Sequence, residues 1–277
     1  MQEHIFEDRI YYRNNEFKLN KPTLIFIHGL IGSSSAWLPY EKIFENRYNI
    51  LIFDIRGHGK SKKFPNYFDY EIKYFANDLH ELILYLNISK FILISHSFGT
   101  LIALEYIKLF KENVIGNILL SPIIGLEKSF SAKIIRFILK LSKIFNLFKF
   151  NTDGRAHTDY IKYKNSTDWN IKRNLSDMKN TTLRVYSHVL RQSLNPDQEY
   201  SLEKIRVPTL IIHGEKDTMA PVKNAVVLSK KIKNSELILI PNTDHIVALN
   251  NIKEISEIIE SFIEKNPEVE QSSLLDR

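Results

Sequence analysis

Residues 91–103 read FILISHSFGTLIA, and this stretch decides the fold that we predict for the whole chain. The apolar run Phe91–Ile94 predicts a buried strand, and apolar residues at helical spacing after the turn predict a helix. Ser97 lies at the turn between them, with Gly99 two residues after it and Ser95 two residues before it. Small neighbours are needed where strand and helix backbones approach closely. The pattern therefore predicts a nucleophile elbow, although a plain polar turn would give the same short motif.

Buried strands alternate with helices on both sides of this stretch. Further strands are predicted at 9–13, 23–27, 48–53, 114–120, 207–212 and 237–240. Helices are predicted at 36–46, 70–86, 222–231 and 252–263. This alternation predicts an α/β fold with a doubly wound, mostly parallel sheet, in which ligands bind beyond the carboxyl ends of the strands.

The alternation breaks down between residues 122 and 206. We therefore predict a core made of 1–121 and 207–265, with an inserted helical segment at 122–206 and a flexible polar tail at 266–277. A chain of 277 residues, 44% hydrophobic and 25% charged, is long enough for one large core with an inserted lobe. It has no cysteine, so disulfides and thiolate metal sites are excluded. Neither a signal peptide nor an apolar span of about 20 residues is recognisable, so a cytoplasmic location is expected.

The net charge of +6 comes largely from Lys128–Lys149. A basic chain can bind nucleic acid, but no nucleic-acid motif accompanies the charge, so no such partner is predicted. Four cations in this segment share one helix face, and Ile and Leu occupy much of the rest: Lys133, Arg136, Lys140 and Lys143. This helix either packs its apolar face on the core, or lies at a membrane surface or shelters an acyl chain. Tyr160, Tyr163 and Trp169 add aromatic surface to the inserted segment, and both interpretations predict an apolar entrance.

A serine hydroxyl needs a base that is held in one tautomer by an acid. The chain offers Ser97, Asp217 and His245 in that order, each in a loop after a predicted strand. Asp217 could instead cap the next helix, and His245 could be a surface imidazole. Asp244 is a rival acid, but adjacent residues of an extended loop point apart, which favours Asp217.

The segments HGLIGSSSAW, DIRGHGKS, SHSFG, HGEKD and TDHIV resemble those of the α/β-hydrolase fold superfamily, in its lid-bearing branch of esterases and lipases. The resemblance implies that Ser97 is the nucleophile, His245 the base and Asp217 the acid, and that the helical insertion at 122–206 is the lid. It also implies an oxyanion hole formed by the backbone N–H groups of Leu30 and Phe98, whose side chains would line the substrate pocket. Ser95 replaces the first glycine of the usual elbow, a change that the superfamily tolerates.

The remaining histidines have plainer interpretations. We expect His28 to brace the oxyanion loop and His213 to brace the acid loop. The resemblance marks His58 and Asp54 as structural residues. His96, beside the nucleophile, contacts either substrate or the packed interior. No pair of histidines has metal-binding spacing, and no cofactor is predicted.

The sequence thus predicts a cofactor-independent serine hydrolase that cleaves carboxylic esters with an apolar acyl or alkyl group through an acyl-enzyme. A carboxylesterase, a monoacylglycerol lipase and a lysophospholipase all fit this description. A thioesterase, an aminopeptidase or amidase, and a carbon–carbon bond hydrolase would use the same residues, and a small-molecule receptor could retain the fold. The expected partner is a small-molecule ester, with lipid contact through the basic lid helix as an option, and the oligomeric state is left open.

Overall fold

The computed structural model describes residues 1–124, 156–194 and 202–266. Its strands form one eight-stranded sheet in the order β1-β2-β4-β3-β5-β6-β7-β8. The strands are β1 (Gln2–Phe6), β2 (Ile10–Asn14), β3 (Thr23–Ile27), β4 (Asn49–Phe53), β5 (Phe91–His96), β6 (Val114–Leu120), β7 (Thr209–Gly214) and β8 (Ser235–Ile240). β1 and β2 pair antiparallel, β2 pairs antiparallel with β4, and every other neighbouring pair is parallel. The predicted α/β class and mostly parallel sheet are confirmed.

Helices follow most of the strands. Those described are α1 (Leu38–Phe44), α2 (Ile72–Tyr85), α3 (Phe98–Leu109), α4 (Ile171–Thr181), α5 (Leu183–Ser193), α6 (Val222–Lys231), α7 (Val247–Asn250) and α8 (Ile252–Lys265). The helix predicted from residue 36 begins as a 3-10 turn, Ser34–Trp37, because Pro39 suits the first turn of the α-helix that follows. A helix able to cross a membrane, which needs about 20 apolar residues, is absent from the described ranges.

The sheet separates two hydrophobic cores, because successive residues of each strand point to opposite faces. In β3, Ile25 and Ile27 face the core that is covered by α2, α3 and α6. Leu24 and Phe26 face the core that is covered by α1 and α8. All four side chains are fully buried, which explains why this strand is apolar on both faces from Leu24 to Ile27.

Two parts of the architecture differ from the expectation or lie beyond it. β1 was not predicted, because QEHIF is polar and four of its five residues are exposed at the sheet edge. Between β6 and β7 the structure describes a 3-10 turn, Tyr160–Tyr163, followed by α4 and α5. The basic helix predicted within Lys128–Lys149 and the tail predicted after residue 266 lie outside the described residues. The lid role of 122–206 and the core boundaries stay predictions.

Candidate active site

Ser97 occupies a strained turn between β5 and α3. Its φ of 52° and ψ of −118° place a non-glycine residue at positive φ, a conformation that persists only when its surroundings impose it. The Ser97 N–H donates to the Leu120 carbonyl at 2.9 Å, which ties the turn to β6. A Cβ atom on Gly99 would lie 2.7 Å from the Ile27 carbonyl oxygen, so only glycine fits there. The local backbone is the predicted elbow.

The structure brings Ser97, His245 and Asp217 together at the carboxyl edge of the sheet. His245 Nε2 lies 2.7 Å from Ser97 Oγ, and His245 Nδ1 lies 2.8 Å from Asp217 Oδ2. The Asp217 side chain is fully buried, and His245 and Ser97 are only 5% and 9% exposed. Ser97 follows β5, Asp217 follows β7 and His245 follows β8. Because these strands are parallel, their carboxyl ends lie at one edge of the sheet, which brings the three side chains into contact.

Asp217 is held as an ionised carboxylate. Burial by itself would raise the pKa of Asp217, but hydrogen bonds from His213 and His245 outweigh burial, and the pKa lies below its usual value. Its Oδ1 also accepts the backbone N–H groups of Met219 and Ala220, at 2.9 and 2.7 Å. An ionised Asp217 keeps the proton of His245 on Nδ1, so Nε2 is free to accept the Ser97 hydroxyl proton.

Asp244, the rival acid, contacts main-chain groups instead of the imidazole. Its Oδ2 accepts the N–H of Asp168 at 3.2 Å, and its Oδ1 accepts the N–H of Ile246 at 3.3 Å. Burial and the neighbouring charge of Asp168 raise the pKa of Asp244. The geometry therefore favours Asp217 as the partner of His245.

Asp168, which sequence reasoning missed, is buried beside both of these loops. Its Oδ1 accepts the backbone N–H of His245 at 2.8 Å. Its Oδ2 accepts the Thr218 hydroxyl at 2.9 Å and the Thr218 N–H at 3.3 Å. Asp168 precedes α4 in a stretch without periodic apolar residues, so no sequence pattern singled it out.

The loop after β3 lies directly against the elbow. A Cβ atom on Gly29 would lie 3.2 Å from Ser97 Cβ, and Gly32 N–H donates to the Gly29 carbonyl in the turn that carries Leu30. Phe98 is the first residue of α3, so its N–H has no carbonyl partner one turn earlier in the helix. Both backbone groups named as oxyanion donors are therefore in segments that adjoin Ser97.

The Phe98 side chain, expected to line a substrate pocket, lies in the packed interior, and its contact with substrate stays a prediction. Its ring is fully buried and packs edge-on against Phe75, with the ring centroids 5.4 Å apart. Helix α3 is covered by α2 at this point, so the ring belongs to the core and only the Phe98 backbone adjoins the elbow. Leu30 is partly buried and packs on the same core.

His28 and His58 are buried and neutral. His28 Nδ1 donates to the Gly29 carbonyl at 2.8 Å and Nε2 accepts the Ile55 N–H at 3.1 Å, which braces the loop that carries Leu30. Burial lowers the pKa of His28 to about 4 and the pKa of His58 to about 3. Asp54 accepts the Ser34 and Lys60 N–H groups at 2.7 Å each, so it joins two loops as a structural residue.

His213 and His96 hold the loops of the acid and the base. His213 Nε2 lies 3.0 Å from the Ala220 carbonyl and 3.2 Å from Asp217 Oδ2. His96 Nε2 donates to the carbonyl of His245 at 2.9 Å. Burial, and then the proximity of His245, lower the pKa of His96 to about 3, so His96 is a neutral donor. Its ring supports the His245 backbone, and substrate contact by His96 stays a prediction.

The segment between β6 and β7 contacts the loop after β3. The Ser35 hydroxyl donates to the Thr158 carbonyl at 2.7 Å, and the Thr181 hydroxyl donates to the Ile31 carbonyl at 3.2 Å. Tyr160, predicted as aromatic surface, is buried and donates to Asp177 at 2.7 Å. Burial raises the pKa of Asp177 to about 6. Trp169, by contrast, is 64% exposed, as an aromatic surface residue should be.

No group of three or more histidine, aspartate or glutamate side chains within the described ranges is arranged to hold a metal ion.

A doubly wound sheet with a serine elbow, and a histidine and a carboxylate at the same edge, defines the class of α/β hydrolases. The chain belongs to the alpha/beta hydrolase fold family, whose sequence profile matches residues 22–252.

The relatives and the solved structure named below are between 16% and 28% identical to this chain in sequence. A Synechocystis protein, provisionally named a non-heme chloroperoxidase, is 28% identical over 260 residues that cover 87% of this chain and 91% of its own. The monoacylglycerol lipase ABHD6 of Mus musculus is 24% identical over 259 residues, covering 88% of this chain and 76% of its own. A thermophilic esterase from Thermogutta terrifontis superposes with a TM-score of 0.70 at 16% identity, covering 92% of this chain and 93% of its own. The family and its esterase and lipase members support a hydrolytic enzyme that cleaves esters.

Proposed function

We propose that the protein is a serine hydrolase in which Ser97 is the nucleophile, His245 the general base and Asp217 the acid. The observation that carries the proposal is the continuous chain of contacts from Asp217 Oδ2 to His245 Nδ1 (2.8 Å) and from His245 Nε2 to Ser97 Oγ (2.7 Å). Both distances are those of hydrogen bonds, and all three side chains are buried from bulk water. A relay shielded from water is suited to proton transfer.

The reaction would proceed in two halves. His245 Nε2 takes the Ser97 proton as Oγ forms a bond to the carbonyl carbon, and the carbonyl electrons move to oxygen. When the tetrahedral intermediate collapses, the alkoxy oxygen leaves and takes the proton from His245, which releases the alcohol and an acyl-serine. Water then repeats the sequence, with the same base, and releases the carboxylic acid and Ser97.

The negative oxygen of the intermediate would be held by the backbone N–H groups of Leu30 and Phe98. The Phe98 N–H lies at the N-terminus of α3, where the helix dipole favours negative charge. His28, as a neutral donor to the Gly29 carbonyl, fixes the loop that presents Leu30. These donors need no reorganisation during the reaction, which is the main source of oxyanion stabilisation.

The substrate class we propose is a carboxylic ester with an apolar acyl or alkyl group. The support is the exposed apolar surface of the segment between β6 and β7, where Trp169, Ile171 and Ile161 are each more than 60% exposed. Trp169 Nε1 donates to Thr218 Oγ1 at 3.0 Å, so this surface reaches the residue beside Asp217. A lipase among the relatives agrees with such a substrate.

The test is turnover of p-nitrophenyl esters from acetyl to palmitoyl by the wild-type protein and by Ser97→Ala. Ser97→Ala should lose at least about 10³-fold in kcat, because the nucleophile is gone. Its melting temperature should stay within a few degrees, since no apolar group is removed. Turnover retained by Ser97→Ala would refute the nucleophile. Including a thioester and an aminoacyl amide in the panel separates the esterase from other uses of the triad, and failure to label with a fluorophosphonate would indicate a receptor.

A further inference from the structure

Asp168 joins the two loops that carry the proposed base and acid. One carboxylate oxygen accepts the His245 N–H at 2.8 Å, and the other accepts the N–H and the hydroxyl of Thr218, the residue after Asp217. Asp168 is only 2% exposed and comes from the segment between β6 and β7, 77 residues before His245. Burying a carboxylate costs free energy unless hydrogen bonds compensate for the lost water. Here three donors from other loops supply those hydrogen bonds, and the carboxylate in turn fixes the positions of the donors.

The backbone of Asp168 is itself anchored. Arg173, on α4, donates from one guanidinium nitrogen to the Asp168 carbonyl at 2.7 Å, and the Asp168 N–H donates to Asp244 at 3.2 Å. Arg173 also contacts the Thr167 carbonyl at 3.3 Å, so its buried guanidinium organises the turn before α4. The backbone of Asp168 is therefore fixed at both its carbonyl and its N–H group, and this fixed backbone limits the positions that the carboxylate can take.

His245 is consequently held on both sides of its peptide backbone. Asp168 accepts its N–H, and His96 donates to its carbonyl at 2.9 Å. These two contacts come from parts of the chain outside the histidine loop, and together they restrict translation and rotation of the residue. The imidazole direction then depends on only two side-chain torsions, which the Asp217 contact fixes.

We infer that Asp168 is a positioning residue for the base, supplied by the segment inserted between β6 and β7, and this inference rests on the proposed function. Without the carboxylate, the His245 N–H loses its acceptor and the loop relaxes, so Nε2 moves away from its place between Ser97 Oγ and the leaving oxygen. A misplacement of about 1 Å costs up to about 100-fold in rate. The loss should be greatest where proton donation to the leaving group matters most.

The experiment compares kcat/KM for p-nitrophenyl butyrate and ethyl butyrate, since kcat/KM reports the steps through acylation. p-Nitrophenolate leaves without a proton, whereas ethoxide must receive one from His245. Asp168→Ala should lower kcat/KM about 10-fold for the nitrophenyl ester and about 100-fold for the ethyl ester. Asp168→Asn retains an oxygen that can accept the His245 N–H, so it should restore most of the loss for both esters.

Asp159→Ala is the matched control, because Asp159 is a carboxylate of the same segment whose contacts are to the Ile161 N–H and Lys162. It should change kcat/KM for either ester less than about twofold. Rates are expressed per active site counted by fluorophosphonate titration, so a loss of folded protein changes kcat/KM for neither ester. An equal loss for both esters in Asp168→Ala, or no loss, would overturn the inference while leaving the proposed function intact. Absence of wild-type turnover would instead remove the proposed function.

Discussion

Gly214→Ala should disrupt the site from a position that has no catalytic group. Gly214 ends β7 and lies under the histidine loop, where a Cβ atom would come within 2.5 Å of the Asp244 carbonyl oxygen and 2.8 Å of the Thr243 carbonyl carbon. Real Cβ contacts are essentially never shorter than 3.0 Å, so the two loops must separate by at least 0.5 Å. The crowding atoms are backbone, which cannot rotate away.

The separation acts on the two bonds that join these loops. Lys216 N–H donates to the Thr243 carbonyl at 2.8 Å, and His245 Nδ1 contacts Asp217 at 2.8 Å. Both lengthen when the loops move apart, and we expect kcat for a p-nitrophenyl ester to fall about 10- to 100-fold. Overpacking of this kind costs about 1–3 kcal/mol, which lowers the melting temperature by several degrees.

Gly116→Ala is the matched control, since Gly116 lies in β6 of the same sheet and a Cβ there would meet only side-chain atoms of Ile92 and Phe262, at 3.3 Å or more. Those side chains can yield by a few tenths of an ångström, so kcat should change less than about threefold. Measuring kcat and thermal unfolding on both variants completes the comparison. A Gly214→Ala protein with wild-type kcat and wild-type melting temperature would refute the close-approach reasoning.

Two further predictions follow from the electrostatics. Asp217→Asn should lower kcat for p-nitrophenyl butyrate about 10³-fold or more, because a neutral amide no longer fixes the His245 tautomer, whereas Asp244→Asn should cost less than about 10-fold; a larger loss in Asp244→Asn would reverse the assignment of the acid. Because His58 titrates at about 3 when folded and near 6.5 when unfolded, unfolding takes up its proton between these values and stability falls as the pH falls. His58→Gln should therefore reduce the pH dependence of the urea unfolding free energy between pH 4 and 6 by about 1.4 kcal/mol per pH unit, and an unchanged slope would contradict the buried neutral histidine.

The fold was predictable because strands buried on both faces have an unmistakable apolar pattern. Four consecutive apolar residues form the centre of each strand, Leu24–Ile27 and Phe91–Ile94, and the loops after them carry the glycines and serines that a close approach requires. The grouping of Ser97, Asp217 and His245 could be predicted because each follows a predicted parallel strand, and the carboxyl ends of parallel strands meet at one edge of the sheet. β1 was missed because an exposed edge strand needs no apolar residues and forms only by pairing with β2.

Asp168 and Tyr160 could not have been predicted by the same means. Their roles depend on how the segment between β6 and β7 packs against loops that are far away in sequence, and neither residue follows a strand or has a helical apolar period around it. A tyrosine in such a segment is as compatible with an exposed aromatic surface as with a buried donor to a carboxylate. Only tertiary contact decides between them. The Phe98 ring is a similar case, because its position after Ser97 fixes its backbone while the packing of α2 decides where the ring points.

The Asp168 contact links the segment between β6 and β7 to the proposed relay. Asp168 Oδ1 accepts the His245 N–H at 2.8 Å, so a shift of residue 168 would remove the acceptor of that N–H. If Asp168 positions the base, as we infer, the placement of His245 depends on this segment as well as on the loops at the carboxyl edge of the sheet. A substitution that moves residue 168 should then lower turnover even though residue 168 carries no reacting group.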